Sequence, residues 1–129
     1  MKEIKFTIQL NPVTKKNSQK IITNPRSGRP MIIPSKIYRE YEKNCGYFLN
    51  RFSHLKIEEP VNVEAHYYRA TRHRVDLCNL HEALCDVLVK YGVVSDDNSR
   101  IIATMDGSKV FYDKENPRTE VTITWLKEK

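Results

Sequence analysis

The sequence lacks the features of secreted scaffolds and of membrane proteins. It has only three cysteines, Cys45, Cys78 and Cys85, which cannot all pair and are few for a disulfide-built domain. Its apolar runs are a few residues long, far short of the roughly 20 that cross a bilayer. Met1 is followed by charged residues rather than by an apolar signal core. We therefore expect a soluble, cytoplasmic protein with reduced thiols and no membrane partner.

The chain also lacks linkers, repeats and low-complexity tracts, so residues 1–129 are expected to form a single domain with one modest core. Acidic residues are nearly absent from residues 1–39, where Glu3 stands against nine Lys or Arg residues. This excess is larger than the net charge of +6 of the whole chain. Segregated positive charge attracts polyanions such as nucleic-acid backbones. The alternative is a solvated basic surface that serves solubility.

Alternating polar and apolar residues predict strands at 5–10, 61–68 and 121–125. Two further short strands, 19–23 and 31–33, flank a Pro- and Gly-containing loop that carries Arg26 and Arg29. Residues 100–105 and 109–112 flank Asp106-Gly107, a dipeptide typical of β-hairpins, so we expect these two segments to pair with each other.

Two amphipathic helices are predicted between the strands. Ser35 can accept a hydrogen bond at the start of a helix over residues 36 to about 51. Its predicted buried stripe consists of Ile37, Tyr38, Tyr41, Cys45, Phe48 and Leu49. The second helix has apolar residues at helical spacing from Leu80 to Tyr91 and ends at Gly92. We therefore expect an α+β fold, a mixed sheet packed with two principal helices.

Five acidic residues in and around the second helix carry the candidate chemistry: Asp76, Glu82, Asp86, Asp96 and Asp97. Phosphodiester hydrolysis needs charge neutralised on the phosphoryl oxygens and an activated water, and divalent ions held by carboxylates provide both. Acids of this kind inside a basic protein suit such a reaction. The alternative is that Asp76 caps the helix and that Asp96-Asp97 belongs to an ordinary polar turn.

The stretch Arg74-Val75-Asp76-Leu77-Cys78-Asn79-Leu80, the helix that ends at Gly92 and the Asp96-Asp97 pair resemble the RusA family of Holliday-junction resolvases. These are small metal-dependent endonucleases of bacteria and their phages. The similarity extends over nearly the whole chain. Its most specific part is an Asp near a helix start, followed 21 residues later by the second Asp of a pair.

The resemblance implies a RusA-like homodimer that binds four-way DNA and makes paired symmetric nicks with Mg²⁺, Mn²⁺ being a second candidate ion. It also implies that Asp76 and Asp97 bind the metal, with Asp96 as an acidic neighbour in the catalytic site. Two positions depart from the family's pattern, since Cys78 replaces an aspartate and Glu82 replaces a lysine. Positions 78 and 82 are one helical turn apart, so we hypothesise that Glu82 restores the missing carboxylate and that Asp76, Glu82 and Asp97 form the metal site.

Three groups of polar residues are the predicted DNA contacts. Lysines act as point charges on phosphates, whereas arginines can bind them with two donors. The candidates are Lys15, Lys16, Asn17, Lys20, Arg26, Arg29, Arg69, Arg72 and Arg74. The predicted function is a structure-selective endonuclease of recombination, repair or phage DNA processing. One alternative is a non-catalytic branched-DNA-binding protein with an incomplete metal site, and another is a nuclease for flaps or other branched intermediates.

Overall fold

The computed structural model describes residues 2–15 and 19–127. In this part the elements follow one another as β1 (Glu3–Ile8), β2 (Gln19–Thr23), β3 (Pro30–Pro34), α1 (Lys36–Leu49), β4 (Val61–Arg69), α2 (Leu77–Lys90), β5 (Ile102–Thr104), β6 (Lys109–Tyr112) and β7 (Arg118–Trp125). No helix in these residues is both long and apolar enough to cross a membrane. The α+β class, with a mixed sheet and two principal helices, is confirmed. The homodimer stays a prediction.

The main sheet places β7 between β1 and β4, and both of these pairings are antiparallel. Alternate residues of β4, from Val61 to Tyr67, are buried, while those between them are half-buried. The buried face packs with Leu49 of α1 and Leu84 of α2 in one core. This burial is the main driving force for the fold, since each large apolar side chain removed from water contributes about 1.5 to 3 kcal/mol.

The predicted hairpin around Asp106-Gly107 is wrong. Strands β5 and β6 do not pair with each other; both lie parallel to β4, one after the other along its free edge. A type I′ hairpin turn requires positive φ at both central residues, but only Gly107 has it, at +87°. The Asn62 side chain instead accepts from the Asp106 amide at 2.8 Å and donates to the Asp106 carbonyl at 3.2 Å. These bonds hold the turn against β4, so the chain continues in the same direction.

The predicted β2–β3 hairpin is confirmed as a separate two-stranded antiparallel sheet. Asn24 organises its loop, because its side chain accepts from the Arg26 amide at 2.9 Å and its backbone amide donates to the Arg29 carbonyl at 2.8 Å. Arg26 and Arg29 are both exposed at the tip. The hairpin therefore presents two cations to solvent.

Helix α1 begins as predicted, since the Ser35 hydroxyl accepts a hydrogen bond from the Tyr38 amide at 3.2 Å. It ends at Leu49, and a short 3₁₀ turn, Asn50–Phe52, follows it. Ile37 does not belong to the buried stripe, because it is 65% exposed. It lies in the first turn beside Tyr38, which is the residue that enters the core.

Helix α2 buries the predicted apolar set, including Leu80, Leu84 and Leu88. Gly92 follows its end with φ of +74°, as the sequence indicated. A Cβ at this position would lie 2.7 Å from the Ser53 carbonyl oxygen, so both the conformation and the space require glycine. The sharp stop directs the chain into the buried Val93 and Val94 and then to the acidic turn.

Candidate active site and nucleic-acid interface

The arginine-rich segment between β4 and α2 is fixed at its start. The Arg69 guanidinium donates to the His73 carbonyl at 2.6 Å, and the Ala70 amide donates to the Asn11 side chain at 2.9 Å. The Arg72 guanidinium lies over the Tyr112 ring, 4.1 Å from its centre. Arg72 and Arg74 remain exposed. Two cations are therefore presented immediately before Asp76.

Asp76 stands at the N-cap of α2, with an extended backbone (φ −87°, ψ 127°). Its carbonyl accepts from the Asn79 and Leu80 amides, but its carboxylate makes no capping hydrogen bond. The contact of that carboxylate is with the Asn79 side chain, at 3.5 Å. Side-chain capping therefore does not explain Asp76, whose exposed carboxylate is accessible to a ligand.

The two acids of the turn after α2 have different environments. Both oxygens of Asp96 accept hydrogen bonds, from the Asp97 amide at 2.8 Å and the Asn98 side chain at 3.0 Å. These bonds, with that of Asn98 the stronger cause, lower the pKa of Asp96. Asp96 thus forms the turn, as the alternative interpretation expected of it. Asp97 lies close enough to Cys85 and Asp86 of α2 for its charge to raise the pKa of both.

Asp97 and Glu82 both lie within electrostatic range of Asp86, and Lys15 forms an ion pair with Asp86. Burial raises the pKa of Asp86; Asp97 and Glu82 raise it further, and Lys15 opposes them. The Lys15 Nζ lies 3.6 Å from Asp86 Oδ2. Asp86 therefore lies beside Lys15 and within electrostatic range of two further carboxylates, where the start of the chain passes α2. We define these four residues as the acidic cluster.

The three carboxylates of the acidic cluster differ from the predicted metal site in one member, because Asp86 stands in place of Asp76. Asp86 was among the five candidate acids but not in the proposed set of Asp76, Glu82 and Asp97. The structure brings Asp97 to the Cys85–Asp86 turn of α2, whereas Asp76 contacts Asn79 in the first turn. A helix rises about 1.5 Å per residue, so Asp76 and Glu82 are about 9 Å apart along the axis, and Glu82 and Asp86 about 6 Å. Glu82 therefore lies between the two ends of the site.

The donor set suits a hard divalent cation. Carboxylate oxygens are the ligands that Mg²⁺ prefers, and the repulsion that Asp97 and Glu82 exert on Asp86 favours a neutralising cation, a role that Lys15 fills in part. Across residues 2–15 and 19–127, no three His, Cys, Asp or Glu side chains already form a group that would hold a metal ion. Cys85 is buried, and burial raises its pKa to about 12, so it remains a neutral thiol.

The predicted DNA contacts fall into three places. Lys15 pairs with Asp86 in the acidic cluster, Arg26 and Arg29 lie at the hairpin tip, and the remaining arginines precede Asp76. Lys16 and Asn17 lie outside the described residues, as does the side chain of Lys20.

Aromatic side chains beside these arginines are not in the predicted interface. Tyr68 stacks on Phe111 with ring centres 4.8 Å apart, and the Arg118 guanidinium covers Tyr68 at 3.8 Å. Tyr112, the next residue of β6, carries Arg72. The sequence contains one indication of this surface, since Val110-Phe111-Tyr112 places apolar side chains on both faces of a strand. Only the pairing of β6 with β4 brings them to the arginines.

Comparison with known proteins identifies one family. The family model described as Endodeoxyribonuclease RusA matches residues 7–124, nearly the whole chain. No curated protein matches the chain.

Proposed function

Because the chain belongs to the RusA endodeoxyribonuclease family, we propose that it hydrolyses four-way DNA junctions with a divalent metal ion. Membership implies endodeoxyribonuclease activity and suggests Holliday-junction resolution. The proposal extends this to Mg²⁺ or Mn²⁺ as the ion, to paired symmetric nicks made by a homodimer, and to a cytoplasmic or nucleoid location.

The observation that carries the proposal is the position of the acidic cluster relative to the arginine segment. The exposed carboxylate of Asp76 ends a segment with two exposed arginines, and Glu82 continues the same helix toward Asp86 and Asp97. A phosphodiester needs this combination, because cations must hold the phosphate while carboxylates hold the metal ion. Glu82 and Asp97 are the proposed ligands at one end of the site, with Asp86 as their neighbour, and Asp76 is the proposed ligand at the other end, where it would act through a water of the ion.

The remaining groups have distinct roles in the proposed reaction. The water oxygen bonds to phosphorus while the bond to the leaving sugar oxygen breaks, and that oxygen leaves with the electron pair and takes a proton from solvent. Asp86, whose pKa is raised mainly by burial, is suited to accept the proton of that water. Lys15 carries a positive charge 3.6 Å from Asp86 and supplies the cation that the family's pattern places where Glu82 stands. When bound, the divalent ion neutralises phosphoryl charge and makes the water more acidic.

Arg72 and Arg74 bind the phosphate next to the cleaved bond in this proposal. Arg26 and Arg29, at the tip of the separate β2–β3 hairpin, contact another part of the DNA backbone in this proposal. These contacts carry charge but no base specificity. Each phosphate contact on duplex DNA contributes about −0.9 to the slope of log affinity against log salt.

A synthetic four-way junction with labelled strands tests the proposal. We expect paired nicks at symmetric positions with Mg²⁺ or Mn²⁺, none with EDTA, and none with Asp97→Asn. Isothermal titration with Mn²⁺ should show weaker binding for Glu82→Gln, and unchanged binding would remove Glu82 from the site. Glu40→Gln, an exposed glutamate of α1, is the matched control.

Junction binding without nicks under every ion condition would instead support the non-catalytic DNA-binding protein. Faster cutting of flaps than of four-way junctions would support the branched-intermediate nuclease. Each of these results contradicts the proposed function in a different step.

A further inference from the structure

A cleft of about 350 Å³ lies between the arginine segment and β6. Arg69, Arg72 and Arg74 line one side, and Val110, Phe111 and Tyr112 line the other. This size lies toward the lower end of the roughly 300–1,000 Å³ of small-ligand sites, and it suits one planar heterocycle. The cleft adjoins the acidic cluster's helix, because the arginine segment ends at Asp76, where α2 begins.

The apolar wall of this cleft is unusually open. Val110, Phe111 and Tyr112 are 40%, 38% and 40% exposed, and all four residues of β6 are exposed. Strand β6 is nevertheless anchored, because it pairs with β4 and Phe111 stacks on Tyr68. The wall is therefore an aromatic surface held in place by strand pairing and ring stacking.

The charge of the cleft matches a nucleotide. The Arg72 guanidinium lies 4.1 Å from the centre of the Tyr112 ring, so a planar cation already packs against this ring. On the β6 side, Asp113 follows Tyr112 and is paired with Arg118 at 2.9 Å, while Asp76 follows Arg74 by two residues at the end of the arginine segment. Arginines bind phosphates, while aromatic rings and guanidinium planes stack on bases.

We infer that this cleft binds an unpaired nucleotide of the DNA substrate, with its base stacked on the Arg72–Tyr112 pair and its phosphate on Arg74. The inference rests on the proposed function for the choice of DNA as the ligand. Bases within a duplex have both faces covered by their neighbours, so a stacking surface requires a base outside the helix. The cleft therefore selects branched DNA with an unpaired nucleotide near the nicked phosphate over duplex DNA.

Binding in EDTA separates this inference from catalysis. The probes are a fluorescein-labelled oligothymidylate and a labelled duplex, measured by fluorescence anisotropy with the full chain. Tyr112→Leu removes the ring while keeping apolar bulk, Tyr112→Phe keeps the ring, and Tyr47→Leu on α1 is the control, since Tyr47 is 81% exposed elsewhere. We expect a roughly 5- to 150-fold loss of oligothymidylate affinity for Tyr112→Leu, the range of one base–aromatic stack.

Tyr112→Phe and Tyr47→Leu should bind oligothymidylate like the unaltered protein, and duplex affinity should not change in any variant. Equal oligothymidylate affinity of Tyr112→Leu and the unaltered protein would overturn the inference, even if junctions are still nicked. An equal loss for duplex would also overturn it. If Tyr112→Leu changes the oligomeric mass of the protein but not its oligothymidylate affinity, the cleft contacts a second copy of the chain and the inference is overturned. Selective oligothymidylate binding by a protein that nicks no junction would support the inference and contradict the proposed function.

Discussion

Replacing Asp86 with Asn tests the acidic cluster, because it removes one charge and keeps the side-chain size. The Asp86 Oδ2 lies 3.6 Å from Lys15 Nζ, a separation worth about 4 to 5 kcal/mol at an effective dielectric constant of ~20. The side chains are 38% (Lys15) and 34% (Asp86) exposed, however, so solvent and salt reduce the pair to at most about 1 kcal/mol. Repulsion from Asp97 and Glu82 opposes even this gain. We therefore expect the free energy of unfolding in urea to change by less than about 1 kcal/mol.

The effect on activity should be much larger than the effect on stability. A side chain that accepts a proton in the reaction typically contributes roughly 100- to 10,000-fold, so we expect Asp86→Asn to nick a four-way junction roughly 100 to 10,000 times more slowly. Single-turnover rates from a gel assay measure this. Glu42→Gln is the matched control, because it removes the 2.8 Å ion pair with Lys90 between the helices and leaves the acidic cluster intact. Nicking by Asp86→Asn at the rate of the unaltered protein would refute the role of Asp86.

Asp97→Asn should abolish nicking in the gel assay but retain junction binding. Asp96→Asn should lower the free energy of unfolding in urea, because the Asp96 carboxylate accepts the hydrogen bonds that hold the turn. Gly92→Ala should cost about 1 to 3 kcal/mol in urea unfolding, since φ is +74° and its Cβ would meet the Ser53 carbonyl; an equally stable variant would contradict this. Burial lowers the pKa of His81, so its neutral form is favoured in the folded protein. Stability should then fall as the pH drops from about 6.5 through the lower folded pKa, and His81→Gln should remove this part of the pH dependence.

Local features of the chain were enough to predict most elements of the fold. Strand alternation in Val61–Arg69 and apolar spacing from Leu80 to Leu88 each depend on neighbours only a few residues away. Ser35 and Gly92 mark helix ends for the same reason, because a cap acts within one turn. Ile37 shows the limit, since spacing alone cannot distinguish the outer edge of an apolar stripe from its buried centre.

The candidate site could also be predicted only in part from the sequence. Asp76, its arginines and the Asp96-Asp97 pair could be named from the sequence, because they are contiguous in the chain and carry the family resemblance. The different roles of Asp96 and Asp97 could not be predicted from the sequence. They depend on which carboxylate accepts hydrogen bonds within the turn and which one lies near α2. The tertiary structure alone gave Lys15 as the partner of Asp86.

The sequence by itself determined the class of the fold, the positions of its helices and the residues available for catalysis, because periodicity and chain order are local properties. The tertiary structure decided which strand edge β5 and β6 join, and therefore that Tyr112 lies beneath Arg72. The physical reason is that strand pairing and charge contacts form between residues far apart in the chain. Strands β5 and β6 pair with β4 because β7 covers one edge of β4 and leaves the other edge free.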